Sequence, residues 1–95
     1  MSAHTVPQAK FRLGRIVSTP HALEVLPNED ILTAIARHQA GDWGDVDSHD
    51  RQANERALIE GTRLFSVYHA GNGPTFWIIT EADRSITTVL MPEDY

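Results

Sequence analysis

The last third of the chain has the clearest alternation of hydrophobic and polar positions. Three short runs, rich in β-branched and aromatic residues, predict consecutive strands at 63–69, 75–80 and 85–90. The loop 70–74 (AGNGP) and the turn 81–84 (EADR) separate these runs with residues that favour tight connections. The three runs therefore predict an antiparallel meander.

The middle strand of this meander is apolar on both of its faces. Phe76 and Ile78 alternate with Trp77 and Ile79. A strand of this kind belongs in the centre of a sheet and is covered on both sides. If helices cover one face, the other face needs a second cover, which a partner protein or a second copy of the chain could supply. We therefore expect a homodimer or a protein partner.

The segment 10–17 (KFRLGRIV) predicts an additional strand near the N-terminus. Gly14 stands in the middle of it, which is typical of an edge strand or of a bulge. The apolar residues that would share one face of this strand are Phe11, Leu13 and Val17. Residues 1–9 lack such a pattern, and we expect them to form a flexible arm before a single domain at 10–95.

Helical patterns fill the region between this strand and the meander. Thr19 and Pro20 predict the start of a short first helix, because threonine caps helices and proline suits the first helical position. Asn28 predicts the cap of a second helix. The stripe that this second helix would bury has helical spacing and consists of Ile31, Leu32, Ile35 and His38.

A third helix is predicted from Asp47 or Ser48 to about Glu60, where Gly61 ends it. Its surface is mostly polar, and its narrow apolar seam consists of Ala53, Ala57 and Leu58, which Ile59 could extend. Helices on one side of an antiparallel sheet make an α+β fold. We therefore predict an α+β domain in which the N-terminal strand and the C-terminal three-strand meander form an antiparallel sheet, with two or three helices packed on one face.

Composition and charge narrow the possible functions. The 95 residues carry a formal net charge of −5, and the eight basic residues are dispersed along the chain. Because no basic cluster could follow a phosphate backbone, we do not expect DNA binding, sequence-specific binding included. There is no cysteine, no apolar run near the ~20 residues of a membrane helix, and no hydrophobic signal region. We expect a cytoplasmic protein without a membrane segment or a cofactor.

An acidic loop between the second and third helices is the first candidate for function. Its candidate binding residues are Asp42, Trp43, Asp45, Asp47 and Asp50. Trp43 could be an exposed recognition residue or a plug between a helix end and the sheet. Oxygen and imidazole ligands could bind a divalent metal here, but the spacing does not match an EF-hand, and we predict no metal site. The alternative is a solvated loop whose aspartates cap the next helix.

The start of the last strand is the second candidate. Arg84 could hold a phosphate, and a hydroxyl such as that of Thr88 could position it. His38, in the last turn of the second helix, could be a general base. The structural alternatives are a turn at Arg84, threonines that simply favour a strand, and a histidine that bonds the helix-terminal carbonyls.

Most of the chain resembles a family of small bacterial proteins carried on plasmids and integrated elements. The strings that carry this resemblance are LGRIVSTPHALEVL, ARHQAGDWGDV and RLFSVYHAGNGPTFWIITEADRSITTVLMPEDY. Some members bear the label of a type I restriction enzyme M subunit. A chain of 95 residues has no room for a methyltransferase domain, and this one lacks a Gly-rich cofactor loop. The resemblance implies an accessory protein of mobile elements.

The order of a strand, helices and a three-strand meander is also similar to the RelE/barnase group of small ribonucleases. This second resemblance implies metal-independent RNA cleavage, with His38 as base or acid and with Arg84 and Thr88 on the phosphate. RelE-type toxins are usually basic, whereas this chain is acidic. Similarity of fold does not transfer an activity.

Two functions therefore stay open. The first is an accessory protein that binds a macromolecular partner, with an anti-restriction role if its acidic loop mimics nucleic acid. The second is a metal-independent ribonuclease of the toxin type. No motif in the sequence decides whether the chain is an enzyme.

Overall fold

The computed structural model describes residues 8–95, in which three helices pack against a four-stranded sheet. The elements are β1 (Arg15–Ser18), α1 (Pro20–Val25), α2 (Asn28–Gln39), α3 (Ser48–Glu60), β2 (Leu64–His69), β3 (Thr75–Thr80), β4 (Ile86–Leu90) and a 3₁₀ helix (Pro92–Asp94). The strand order is β1-β4-β3-β2, and the pairs β2–β3 and β3–β4 are antiparallel. The predicted α+β class is confirmed, and so is the central position of the strand at 75–80.

The N-terminal strand differs from the prediction in its start and its direction. It begins at Arg15 and pairs in parallel with β4, so the sheet is mixed although mostly antiparallel. Gly14 has a φ of 64°, and a Cβ there would collide with the carbonyl oxygen of Ser85. The chain therefore turns at Gly14, and Phe11 and Leu13 precede the strand. Of the predicted arm, residues 1–7 lie outside the described residues, and 8–9 are exposed without regular secondary structure.

Helices α1 and α2 cover one face of the sheet. The core that they bury there includes Ala22, Leu26, Ile31, Ala34, Tyr68, Phe76, Ile78 and Val89. Thr19 caps α1 through a bond that its Oγ1 accepts from the Ala22 amide, as predicted. Two details of α2 were wrong. Pro27 rather than Asn28 is the cap, and Leu32 is 67% exposed while Ala34 takes its place in the core.

Helix α3 begins and ends as predicted and closes the outer edge of β2. Asp47 accepts the amide of Asp50 at 2.8 Å, and Gly61 has the left-handed conformation that ends the helix. Ile59 does not extend the predicted seam, because its side chain is 87% exposed. The buried Asn54 was missed: its Nδ2 donates to the Phe65 carbonyl at 2.7 Å, and its Oδ1 accepts the Phe65 amide at 3.0 Å.

The segment before α3 completes this edge. The Val67 amide donates to the carbonyl of Trp43 at 3.1 Å, and the Asp45 amide donates to the carbonyl of Val67 at 2.8 Å. Because backbone N–H and C=O groups on the outer edge of β2 are bonded in this way, this edge is not available for pairing with a strand of another chain. Within residues 8–95, no helix combines the length and the apolar character that a membrane crossing requires.

Candidate functional site

The strand register places two apolar rows on the sheet face opposite α1 and α2. Side chains alternate along a strand, so Trp77 and Ile79 point away from the helix-covered Phe76 and Ile78. In the first row, Ile79 pairs with Phe65 and Thr88, and Thr88 pairs with Val17. In the second row, Trp77 pairs with Val67 and Leu90. We call this surface the open face: Val17, Phe65, Val67, Trp77, Ile79, Thr88 and Leu90.

Aromatic side chains form a recess in the middle of the open face. The rings of Phe65 and Trp77 meet edge to face with centroids 5.1 Å apart, and Tyr95 meets Trp77 at 5.7 Å. Arg63 Nη1 donates to the Tyr95 hydroxyl at 2.9 Å, and its guanidinium lies over the Tyr95 ring. These four residues and Ile79 line a recess of about 270 Å³.

The open face is only partly covered. Ile79 and Leu90 are buried, but Val17, Phe65, Val67, Trp77 and Thr88 each keep part of their surface accessible. Tyr95, which lies against Trp77, is itself 70% exposed. The apolar rows therefore form a continuous surface that the described residues cover for the most part and leave partly accessible at five positions.

The two ends of the open face differ in charge. At the end where β1 and β2 begin stand Arg15, which pairs with Ile86, and Arg63, whose Nε lies 3.8 Å from the Glu81 carboxylate. We call this end, with Arg15, Arg63 and Glu81, the arginine rim. At the opposite end, His69 Nε2 lies 2.9 Å from Asp45 Oδ2. Asp94 accepts the hydroxyl of Thr19 at 2.6 Å, just beyond β1. We call this end, with Asp45, Glu93 and Asp94, the acidic rim.

Most carboxylates of the predicted acidic loop contact other groups within the chain. Arg37 donates to Asp42 twice, from Nε at 2.7 Å and from Nη2 at 3.2 Å, and this pairing lowers the pKa of the Asp42 carboxyl. Asp45 faces His69 and Asp47 caps α3. Asp50 lies 3.6 Å from the ring of His49. The loop is a braced connection between α2 and α3.

Trp43 is 2% exposed, so its interpretation as an exposed recognition residue was wrong and the plug is what the structure shows. Its Nε1 donates to Glu55 at 2.7 Å, which anchors the loop to α3. The ring stacks on Phe11 at 6.2 Å and meets the His38 ring edge to face at 5.7 Å. Burial of a large aromatic ring beside a glycine-rich turn closes the space between the end of α2 and the sheet.

The histidine of the ribonuclease hypothesis lies in the core. His38 is fully buried, with Nδ1 2.6 Å from Ser66 Oγ and Nε2 2.9 Å from Thr80 Oγ1. Burial, followed by the nearby charge of Arg84, lowers the pKa of His38 to about 4. Both ring nitrogens are occupied and the ring has no access to a substrate.

Arg84 and Thr88 do not meet His38 in a cleft. Arg84 donates to the carbonyls of Thr62, Glu81 and Ala82 through Nη1 and to that of Ala57 through Nη2, so its guanidinium binds the end of α3 to the turn before β4. Thr88 belongs to the open face, on the other side of the sheet from His38. His38, Arg84 and Thr88 therefore do not form the common site that the ribonuclease hypothesis requires.

Three exposed ligand groups come close together at the start of α3. The donor atoms of Asp47, His49 and Asp50 all lie within 4.8 Å of one another. Asp47 already serves as the helix cap, and clusters of exposed carboxylates are common at helix starts. This cluster is explained by the structure of the helix.

The sequence interpretation missed the polar partners of His38. Ser66, Thr80 and Thr87 are fully buried, and Thr80 Oγ1 lies 2.8 Å from Thr87 Oγ1. The signal available in the sequence was a hydroxyl at a helix-facing position of each strand of the meander. Strand propensity alone explains such threonines equally well, so the network needed the tertiary structure.

No protein-family model matches the sequence, and neither a curated protein nor a solved structure matches the chain. The resemblances to the mobile-element proteins and to the RelE/barnase group therefore remain expectations from the sequence. The open face, the recess and the two rims are features of this chain's own geometry.

Proposed function

We propose that this protein is a non-catalytic accessory protein, of the kind that the mobile-element resemblance implies, and that it acts by binding a protein partner through the open face. One observation carries the proposal. The face that the helices leave free bears two apolar rows with an aromatic recess at their centre, lined by Arg63, Phe65, Trp77, Ile79 and Tyr95.

The residue types support a protein ligand. Tryptophan, tyrosine and arginine are the residues most enriched among interface hot spots, and Trp77, Tyr95 and Arg63 stand together in the recess. An apolar centre bordered by charged residues is the usual anatomy of a protein interface. Contiguous apolar surface of this kind on a small domain marks an interaction site.

The same features describe the partner. An apolar or aromatic side chain fits the recess, because its floor and walls are Phe65, Ile79 and Trp77. Carboxylates on the partner suit Arg15 and Arg63, which border the rows at one end. The acidic loop is the weaker candidate surface, since Asp42 is bonded to Arg37 and Asp47 caps α3.

Photo-cross-linking in bacterial cells tests the proposal. A benzophenone amino acid in place of Thr88, in the first apolar row, is expected to give a discrete cross-linked protein product. The matched control carries the same group in place of Ile59, which is 87% exposed on α3, and is expected to give none. Absence of a product from position 88, with the protein folded and abundant, would overturn the proposed function.

A further inference from the structure

We propose that the partner on the open face is a second copy of this chain, packed face to face with its strands running in the opposite direction. This inference rests on the proposed function, because it takes the open face as the binding surface. The distribution of charges and apolar rows on the open face supports the inference.

Each outer strand of the open face has an arginine at one end and a carboxylate at the other. On β2, Arg63 precedes the strand, and Asp45 meets His69 at its last residue. On β1, Arg15 begins the strand. Beyond its other end lie the exposed Glu93 and Asp94, whose carboxylate is bonded to Thr19 and His21 within the chain. Arg63 and His69 are six positions apart along β2, about 20 Å at 3.3 Å per residue, so Arg63 and Asp45 do not pair within one molecule.

A two-fold axis that lies between the faces, perpendicular to the strands, brings these charges together. It reverses the strand direction and keeps each strand opposite its own copy, as in an aligned sheet-on-sheet packing. Arg63 then faces Asp45 of the second copy, whose side chain is 73% exposed although it bonds His69, and Arg15 faces the end of the second copy that carries the exposed Glu93. An axis parallel to the strands would instead set Arg15 against Arg63, which repel each other.

The same axis also matches the apolar rows. The first row of one copy lies over the second row of the other, so Trp77 lies over Ile79 and Phe65 over Val67. Large side chains therefore oppose smaller ones, which is the arrangement that fills an interface without voids. Trp77 and Phe65 would lose their remaining exposure to water, the main favourable contribution to association.

Sedimentation velocity on the full chain tests this arrangement through a charge exchange. Wild type is expected to be a dimer. Arg63→Glu sets two carboxylates against each other at both symmetry-related contacts, and Asp45→Arg does the same with two guanidinium groups. Each variant alone is expected to weaken dimerisation by about tenfold or more. An equimolar mixture of the two variants is expected to restore the dimer, because both contacts in the heterodimer again join opposite charges.

The control pair makes the same charge changes away from the open face. Arg56→Glu and Asp50→Arg lie on α3 and are expected to leave the dimer intact, while circular dichroism verifies the fold of all four variants. Failure of the mixture to dimerise would overturn the antiparallel arrangement. A monomeric wild type that still cross-links from position 88 to a different protein would overturn self-association and leave the proposed function standing. A monomer without any cross-link would overturn both.

Discussion

The Nε2 atom of His38 lies 2.9 Å from Oγ1 of Thr80 in the centre of the core. The direction of this bond follows from its neighbours. Thr87 donates its hydroxyl to the carbonyl of Leu13 at 2.6 Å, so its oxygen accepts from Thr80. Thr80 can then only accept from His38, and Ser66 donates to Nδ1. A one-directional chain of bonds thus joins β2, α2, β3, β4 and the segment before β1.

This chain predicts that His38 is neutral at pH 7 and carries its proton on Nε2. ¹⁵N NMR is expected to show a protonated Nε2 and an unprotonated Nδ1 for His38 at pH 7. His49, whose side chain is exposed, is the control and is expected to exchange between its two tautomers. Detection of the Nδ1–H tautomer for His38 would contradict the assigned bond directions.

The lowered pKa of His38 predicts that the protein loses stability in mild acid. The folded pKa is about 4 against an ordinary value of 6.5, so the unfolded chain takes up the proton first. The free energy of unfolding should fall as the pH drops from about 6.5 to about 4, by on the order of 3 kcal/mol. Urea unfolding across this range measures the loss. A His38→Gln variant, less stable overall, should show a flatter dependence in the same window.

Asp42, Asp94 and His21 also make the free energy of unfolding depend on pH, but outside the range between about pH 4 and 6.5. The Arg37 bond lowers the pKa of Asp42, and the Thr19 bond lowers the pKa of Asp94, so their contributions disappear as the pH falls below the ordinary value of 3.8. The bond to Asp94 raises the pKa of His21 above 6.5. Its contribution is complete below pH 6.5 and is lost as the pH rises through the raised pKa.

Removal of one hydroxyl from the buried chain should be costly. Thr80→Val keeps the shape of the side chain but leaves His38 Nε2 and Thr87 Oγ1 without their partner, so a loss of about 1–3 kcal/mol is expected. Thr88→Val makes the same change on the open face and is expected to alter stability by no more than about 0.5 kcal/mol. Chemical denaturation of both variants at one protein concentration makes the comparison. Equal effects would contradict the proposed importance of the buried network.

Arg84 combines a guanidinium bonded to four carbonyls with a backbone φ of 61°, which disfavours residues with a Cβ. Arg84→Ala and Arg84→Gly both lose the guanidinium, but only glycine, which has no Cβ, adopts the positive φ without strain. We expect both variants to be less stable than wild type, with alanine the worse by about 1 kcal/mol. Thermal unfolding tests the order, and a glycine variant no better than alanine would count against backbone strain.

Incubation of purified protein with RNA in the presence of a chelator tests the ribonuclease hypothesis. Because His38 has no access to solvent and Thr88 lies across the sheet, we expect the RNA to stay intact. Cleavage by wild type that disappears in Arg84→Ala would contradict this expectation and place a catalytic site at the start of β4. Arg84→Ala, purified by the same procedure, also controls for contaminating nucleases, which would cleave RNA in both preparations.

The sequence by itself determined the elements whose signals are local. Alternation of apolar residues located the meander at 63–90, within a residue of its observed start at Leu64, and capping residues located the ends of helices: Thr19, Asp47 and Gly61. Alternation also made Trp77 and Ile79 a second apolar face that the helices do not cover. These features depend on neighbours within a few residues, where side-chain period and backbone preference act directly.

The tertiary structure alone decided which distant segments meet. It set β1 parallel to β4, because that pairing joins residues about 70 positions apart and no local pattern records its direction. It decided between the two interpretations of Trp43, bonded His38 to Ser66 and Thr80, and gave Asn54 its place on the edge of β2. Such polar and aromatic residues have the same local appearance in a loop, on a surface or in a core. Only packing and the need to satisfy buried hydrogen bonds distinguish these positions.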